Sequence, residues 1–291
     1  SIHDHDQALE YGHHLKALAD ELAGDLLVVM RTYFEKPRTT VGWKGLINDP
    51  GLDGTFDVNR GLRTARKLLL DISALGLPVG CEFLDPITPQ YIADTVAWGA
   101  IGARTSESQT HRQLASGLSM PIGFKNRTDG NVQIAVDAVR AAAAPHAFAG
   151  IDDAGMPAIL HTTGNPDCHI ILRGGHGMPN YHVPEVEDAL VTLGVAGLPE
   201  RLVIDASHDN SGKDPEKQFF AAGEIADQVA DGNKSIVGVM MESFLVEGRQ
   251  DLKPGESLVY GQSITDACID WEDTVAALER FASAVEARRD S

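Results

Sequence analysis

The chain has 291 residues, of which 43% are hydrophobic and 6% aromatic, so it is long and apolar enough to bury a large core. This composition excludes a disordered tail, a disulfide-stapled mini-protein and a collagen-like repeat. The formal charge of -18 argues against nucleic acid or an anionic membrane as the partner, because both require a basic surface. No apolar run approaches the roughly 18 residues that span a bilayer. Three Cys without C-x-x-C spacing and no signal-peptide pattern predict a cytoplasmic protein.

Short apolar or β-branched runs alternate with amphipathic stretches of about 10 to 18 residues, the order expected of repeated βα units. The first amphipathic stretch places Leu9, Leu15, Leu18 and Leu22 near helical spacing. In chain order the predicted elements are a helix over 6–22, a strand over 26–33, a helix over 59–75, a strand over 78–84, a helix over 89–98, a strand over 99–104, a helix over 108–115, a strand over 121–125, a helix over 131–142, a strand over 169–173, a helix over 183–193, a strand over 201–205, a helix over 217–229, a strand over 235–241 and a helix over 271–287.

These elements predict an α/β protein, a (β/α)8 TIM barrel that forms one domain over 1–291. A closed barrel needs eight strands, each before its helix, whereas the chain opens on a helix and shows one strand fewer. The first strand is therefore expected to precede Ser1. The alternative is an open doubly wound sheet, which tolerates any strand number.

One segment, at about 146–162, breaks the βα order. Strands over 146–151 and 158–161 flank the turn-prone Asp152-Asp153-Ala154-Gly155, a pattern typical of an inserted hairpin. An insertion with no place in a barrel is either a regulatory or subunit-contact element or a plain surface hairpin.

Six basic residues fall at or just after the predicted strand ends. All strand carboxyl ends of a parallel barrel open on one face, so these cations are expected to converge at one mouth. Like charges repel unless an anion offsets them, and Arg and Lys are the usual ligands of phosphates and carboxylates. The mouth is predicted to bind small, multiply anionic molecules, unless each cation pairs with a structural carboxylate. The six are Arg31, Lys36, Arg38, Arg104, Lys125 and Arg173.

A second group of polar residues follows the last strands. His208 and Glu242 lie at strand ends, and Asp266 lies in the loop before the final helix. An imidazole and two carboxylates suit a divalent ion such as Mn, Fe, Co or Zn acting as a Lewis acid. The alternative for each residue is a hydrogen-bonded structural role. The three cysteines are interpreted as small buried core residues.

Longer motifs then indicate a family. They are Ser1-Ile2-His3-Asp4, the stretch from Arg31 through Tyr33-Phe34-Glu35-Lys36-Pro37-Arg38-Thr39-Thr40 to Gly45, Gly102-Ala103-Arg104-Thr105, Gly123-Phe124-Lys125-Asn126, His169 to Gly175, and Ser263 to Cys268. Along essentially the whole chain, they resemble the type I 3-deoxy-D-arabino-heptulosonate 7-phosphate (DAHP) synthases. The resemblance implies a metal-dependent barrel enzyme that condenses phosphoenolpyruvate with erythrose 4-phosphate, the first step of the shikimate pathway.

The resemblance also implies roles for single residues. The phosphoenolpyruvate ligands would be Arg31, Arg104, Lys125 and Arg173, and the erythrose 4-phosphate ligands Lys36, Pro37, Arg38 and Thr39. Glu82 would stand near the reacting carbons, and the catalytic residues would be Lys36, Lys125, His208 and Glu82. The metal ligands would be His208, Glu242 and Asp266, with a fourth, a Cys in Gly-Pro-Cys, expected directly before Ser1.

The implied reaction is aldol-like. C3 of phosphoenolpyruvate attacks an aldehyde polarised by the metal and Lys36, water captures the charge that develops at C2, and phosphate leaves. A related enzyme, 3-deoxy-D-manno-octulosonate 8-phosphate synthase, is an alternative, although Lys36-Pro37-Arg38-Thr39 resembles the four-carbon motif. A non-catalytic regulatory barrel that binds anionic metabolites is another.

Feedback inhibition by an aromatic amino acid beside the hairpin, at Phe148 and Gly150, is implied as well. Gly150 stands where phenylalanine-sensitive relatives carry Ser and tyrosine-sensitive ones Gly. The missing hydroxymethyl group would leave room for a phenolic hydroxyl, which favours tyrosine as the effector. A homodimer or homotetramer is expected.

Overall fold

A computed structural model of the protein describes residues 1–152, 154–253 and 255–290. The chain divides into two compact units. Unit 1 comprises Ser1–His13, Val29–Lys125 and Ile134–His169; unit 2 comprises His14–Val28, Asn126–Gln133 and the chain from Ile170 onward. The organisation of 1–291 as one domain stays a prediction.

Unit 1 is built on four parallel strands paired in chain order. After the opening helix α1 (His5–Glu21, as far as His13 in this unit), the elements are β1 (Met30–Arg31), α2 (Val58–Ala74), β2 (Val79–Glu82), α3 (Pro89–Ile92), β3 (Trp98–Ile101), α4 (Gln109–Ser116), β4 (Ile122–Lys125) and α5 (Gln133–Ala142, from Ile134 in this unit). All residues of β2 and β4 are buried, as expected of parallel strands covered on both faces. An antiparallel hairpin of β5 (Ala147–Ile151) and β6 (Pro157–His161) follows, which confirms the predicted insertion, although Asp153 of its turn lies outside the described residues.

Unit 2 carries three parallel strands, again paired in chain order. Its elements are β7 (His169–Leu172, from Ile170 in this unit), α6 (Val183–Val195), β8 (Leu202–Asp205), α7 (His208–Ser211), α8 (Pro215–Ala230), β9 (Ile236–Met240), β10 (Val246–Arg249), β11 (Gln262–Ser263) and α9 (Trp271–Asp290). Pro215 at the first turn of α8 and the side chain of Asp214, which accepts the N–H of Lys217, fix where this helix begins. The sequence did not predict α7, β10 or β11.

Every predicted strand and helix has a counterpart, but three boundaries were wrong. The helix predicted over 89–98 ends at Ile92, because Trp98 already pairs with Gly80 in the sheet. The strand predicted over 26–33 shrinks to Met30–Arg31, since the N–H of Leu26 still donates to the carbonyl of Leu22.

The third wrong boundary is that of the strand predicted over 99–104, which ends at Ile101. The N–H groups of Thr105 and Ser106 turn back to the carbonyl of Gly102, so Arg104 lies in an exposed turn. Cys168 was also misjudged: it is half-buried, whereas Cys81 and Cys268 are buried as predicted. None of the helices in the described ranges combines the length and apolar character needed to cross a bilayer.

Two helical glycines allow a paired test of packing. A Cβ at Gly61 of α2 would lie 2.1 Å from the carbonyl oxygen of Ile47, whereas one at Gly12 of α1 would meet only side chains at 3.5 Å or beyond. Gly12→Ala should raise the free energy of unfolding by up to about 1 kcal/mol through helix propensity. Gly61→Ala should lower it by about 1 to 3 kcal/mol, because backbone must move. Urea unfolding measures both, and equal effects would contradict this packing.

Candidate active site

A cluster of three possible metal ligands lies in unit 2. One ligand atom from each of His208, Glu242 and Asp266 lies within 4.8 Å of the other two. The Nε2 atom of His208 is 3.9 Å from Oε1 of Glu242. Glu242 is only 4% exposed, and two carboxylates this close repel one another unless a cation lies between them. The sequence prediction that these residues meet is confirmed.

The end of β8 holds the imidazole of His208 in a fixed orientation. The fully buried carboxylate of Asp205 accepts the Nδ1–H of His208 at 2.8 Å, and Ser207 Oγ lies 2.8 Å from the same nitrogen. Asp205 is itself fixed by the N–H of Ser207 at 3.0 Å and by that residue's hydroxyl. With its proton on Nδ1, the imidazole presents the lone pair of Nε2 to the cluster, as second-shell carboxylates do for metal-binding histidines.

Glu242 follows β9 and is clamped through its backbone. Gln218 of α8 accepts the N–H of Glu242 at 2.9 Å and donates to its carbonyl at 2.8 Å. Both bonds are buried, so α8 fixes the backbone position from which the side chain of Glu242 extends. No sequence motif marks Gln218, and sequence reasoning missed it.

Asp266 completes the set from the loop after β11. Its Oδ1 lies 3.5 Å from Nζ of Lys213, a half-exposed partner that leaves the carboxylate able to accept a second cation. The donor set consists of one imidazole nitrogen and two carboxylates, and it fits a divalent transition ion. The other imidazole nitrogen is already hydrogen-bonded to Asp205. The three side chains therefore have the chemistry needed to bind such an ion.

Unit 2 also contains a prepared anion ligand, Arg173, directly after β7. The side chain is 6% exposed, and its Nη1 donates to the carboxylate of Asp209 and weakly to the carbonyl of Gly174. Its Nε is buried without a hydrogen-bond partner among the described residues. The Nε edge of a guanidinium is one of the planar forks that bind a phosphate or carboxylate in two places.

Asn126 positions the backbone of Arg173. Its side-chain oxygen accepts the N–H of Arg173 at 2.8 Å and the amide of Asn180 at 3.2 Å, while its amide donates to the carbonyl of Gly174 at 2.9 Å. Sequence reasoning gave Asn126 no such role. The available signal was its position directly after a strand-ending Lys.

In unit 1, three of the predicted residues lie at the carboxyl ends of parallel strands. Arg31 ends β1, Glu82 ends β2 and Lys125 ends β4. The Arg31 guanidinium lies 3.7 Å from the ring centroid of Tyr33, a cation–π contact. Lys125 is 2% exposed and Glu82 8%. Charged residues therefore stand at the carboxyl ends of three of the four parallel strands of unit 1, and their convergence on one mouth stays a prediction.

Gly102 lies directly against the carboxylate of Glu82. A Cβ at Gly102 would lie 2.2 Å from Oε1 of Glu82, so the residue after β3 presses against this carboxylate. Ser106 ties the same turn to β4 by donating to the carbonyls of Gly102 and Lys125, the latter at 2.6 Å.

The predicted erythrose 4-phosphate segment lies in the loop between β1 and α2. The N–H of Lys36 donates to the carbonyl of Lys44 at 2.9 Å, and Arg38 Nε donates to the carbonyl of Trp43 at 2.8 Å. Lys36 and Pro37 are half-buried, and Arg38 and Thr39 are exposed. Hydrogen bonds within the loop therefore hold this segment, and the side chain of Arg38 is accessible to solvent.

The hairpin places the predicted effector residues on one face. Phe148 pairs with Leu160 and Gly150 with Ala158, and all four are half-buried. The expected room beside Gly150 is not open, because Leu160 Cδ1 lies 2.5 Å from where a Cβ would stand. The side chain of Leu160 fills the space that was expected for a phenolic hydroxyl.

Comparisons with known proteins agree with this geometry. A family model described as the DAHP synthetase I family matches residues 1–279. A Phe-sensitive phospho-2-dehydro-3-deoxyheptonate aldolase of Escherichia coli (strain K12) is 59% identical over 99% of this chain and 82% of the relative. A Tyr-sensitive one of the same strain is 56% identical over 97% and 79%. The solved phospho-2-dehydro-3-deoxyheptonate aldolase of Francisella tularensis SCHU S4 superposes with a TM-score of 0.96 at 52% identity, covering 99% of this chain and 84% of the other.

The hydrogen bond from His208 to Asp205 should control metal affinity. Asp205→Asn removes the charge that orients the imidazole and raises its basicity, so the dissociation constant for Mn²⁺ should rise about 10- to 100-fold. Isothermal titration calorimetry measures it, with the exposed Asp188→Asn of α6 as the matched control. Unchanged Mn²⁺ affinity in a folded Asp205→Asn protein would contradict this role.

Proposed function

Because the chain belongs to the DAHP synthetase I family, we propose that it condenses phosphoenolpyruvate with D-erythrose 4-phosphate to give DAHP and phosphate. The chain is an enzyme, a transferase of the phospho-2-dehydro-3-deoxyheptonate aldolase class, which supplies aromatic amino acid biosynthesis. The fold class that accompanies this proposal is the (β/α)8 barrel, supported by the TM-score of 0.96 and by the βα order within each unit.

The observation that carries the proposal is the clustering of His208, Glu242 and Asp266 within 4.8 Å in a chain that matches this family. These three residues would hold a divalent ion, Mn, Fe, Co or Zn. When bound, such an ion would supply Lewis-acid polarisation of a carbonyl oxygen.

The cations are proposed to hold the two anionic substrates. By resemblance to the family, Arg31, Arg104, Lys125 and Arg173 would bind the phosphate and carboxylate of phosphoenolpyruvate. Support comes from the burial of Lys125 and Arg173 and from the buried Nε of Arg173, which has no hydrogen-bond partner in the part of the chain that the structure describes. Charges that are already oriented need no reorganisation when substrate binds, which is where most of the catalytic gain arises.

The loop between β1 and α2 is proposed to bind the aldehyde substrate through Lys36, Pro37, Arg38 and Thr39. C3 of phosphoenolpyruvate forms a bond to the aldehyde carbon, and the Lys36 ammonium donates a proton to the aldehyde oxygen. Glu82 stabilises the positive charge that develops at C2. Water then adds to C2 and returns one proton to the Lys36 amine. The proton of the new C2 hydroxyl goes to the phosphate as its bond to C2 breaks and the ketone forms. Carbon, oxygen and charge balance without a further reactant.

Phosphate release tests the proposal. After chelation and addition of Mn²⁺, release should require both substrates, and omission of either substrate or of metal should abolish it. Lys36→Ala and His208→Ala should each lower turnover at least about 100-fold with the fold retained, because each removes charge stabilisation at the aldehyde. Near-normal rates in either variant, or release without erythrose 4-phosphate, would overturn the assignment.

Tyrosine is proposed as the feedback effector, binding beside Phe148 and Gly150. Support comes from the glycine at 150 itself, and tyrosine would fit there only once the flexible side chain of Leu160 moves aside. Tyrosine should half-inhibit the enzyme at a concentration about tenfold below that of phenylalanine or tryptophan, since one hydrogen bond from its hydroxyl contributes up to about 1.4 kcal/mol, which corresponds to a factor of ten. Inhibition by phenylalanine or tryptophan alone would contradict this choice. A homodimer or homotetramer and a cytoplasmic location stay predictions.

A further inference from the structure

Glu35 is a half-buried carboxylate to which the proposed reaction gives no role. It directly precedes Lys36, and it accepts three hydrogen bonds from the segment after β2. The N–H of Leu84 donates to Oε2 at 3.2 Å, and the N–H of Asp85 donates to Oε1 at 3.0 Å. The hydroxyl of Thr88 lies 3.4 Å from Oε1. Both carboxylate oxygens are therefore engaged as acceptors.

These bonds join two segments that carry proposed site residues. On one side, the carboxylate belongs to the loop that contains Lys36 and Arg38. On the other, residues 84–88 follow β2 directly after Glu82. The loop backbone is packed tightly here, since a Cβ at Gly45 would lie 2.0 Å from the carbonyl oxygen of Phe34. Glu35 thus anchors the first half of the loop to the sheet edge.

The surroundings of Glu35 oppose its charge. Burial is the main reason that its pKa is raised to about 7, and the carboxylates of Asp85 and Glu82 add to the effect. The N–H groups of Leu84 and Asp85 act in the opposite direction. The thiol of Cys81 also lies close enough to be influenced by Glu35, but burial keeps the pKa of that thiol at about 12. Within the described residues, Glu35 forms no ion pair with a Lys or Arg.

We propose that Glu35 is a positioning residue that holds the Lys36–Thr39 segment ready for the phosphorylated aldehyde only while its carboxylate is ionised. The ionised group accepts from all three donors. Protonation removes the negative charge and turns one oxygen into a hydroxyl, so the bonds from the N–H groups of Leu84 and Asp85 weaken. Affinity for the aldehyde substrate should therefore fall as the solution becomes acid. This inference rests on the proposed function, because it describes how pH regulates substrate binding at that same site.

Stability should change in the opposite direction from affinity. Because the folded pKa of Glu35 is raised above its ordinary value of 4.5, the native state favours the protonated form. The stability that this preference contributes is fully present below pH 4.5 and is lost as the pH rises through about 7. Glu35→Gln imitates the protonated form, so at pH 8 the variant should be at least as stable as the wild type while binding the aldehyde more weakly.

The test compares wild type, Glu35→Gln and the exposed control Glu187→Gln between pH 5.5 and 8.5. The measurements are KM for erythrose 4-phosphate, KM for phosphoenolpyruvate, kcat and urea unfolding. At pH 8 the KM of Glu35→Gln for erythrose 4-phosphate should be about tenfold higher, the loss of one hydrogen bond to a charged group. The erythrose 4-phosphate KM of Glu35→Gln divided by that of the wild type should approach one at pH 5.5. Taking this ratio cancels the titration of the substrate's own phosphate. The phosphoenolpyruvate KM and kcat should change less than about threefold.

A KM ratio independent of pH would overturn the inference, as would a fall in kcat with unchanged KM. A Glu35→Gln protein less stable than the wild type at pH 8 would reduce Glu35 to a structural role. Wild-type protein that releases no phosphate from both substrates with metal would instead remove the proposed function, and the inference with it.

Discussion

The carboxylate of Asp205 has no exposed surface, and a charge buried this deeply requires a close, oriented partner. It finds one in the imidazole of His208 at 2.8 Å, with Ser207 supporting the same pair. This bond decides which imidazole nitrogen keeps its proton, and so which one points to Glu242 and Asp266. The capacity of unit 2 to hold a divalent ion depends on that choice, and the proposed chemistry depends on the ion.

The same constraint explains the charges at the other strand ends. Lys125, Arg173, Glu82 and Glu242 are all less than a tenth exposed, in a protein with a formal charge of -18. Buried charges of this kind weaken a fold unless they are paired or solvated. Arg173 is already paired with Asp209, and Nε2 of His208 lies 3.9 Å from Glu242. Under our proposal, two phosphorylated substrates and one divalent cation would add further partners of opposite charge. Within unit 1, Glu35 shows that burying a carboxylate has a cost, because burial is the main reason that its pKa is raised to about 7.

The sequence allowed the βα order and the metal cluster to be predicted, because both follow from periodicity and from where strands end. The two hydrogen bonds between the side chain of Gln218 and the backbone of Glu242 could not be predicted, because they join positions 24 residues apart and no motif marks them. The packing beside Gly150 could not be predicted either. The side chain of Leu160 occupies that space, and its position depends on the pairing of β5 with β6. Local patterns therefore located the reactive groups, and non-local contacts determined how they are held.

Crystals grown with Mn²⁺ and phosphoenolpyruvate, with data collected at the manganese absorption edge, test the central claim most directly. The account predicts an anomalous peak bonded to Nε2 of His208 and to carboxylate oxygens of Glu242 and Asp266, with Nδ1 of His208 still on Asp205. A peak bonded to Nδ1, or one located away from these three residues, would contradict it.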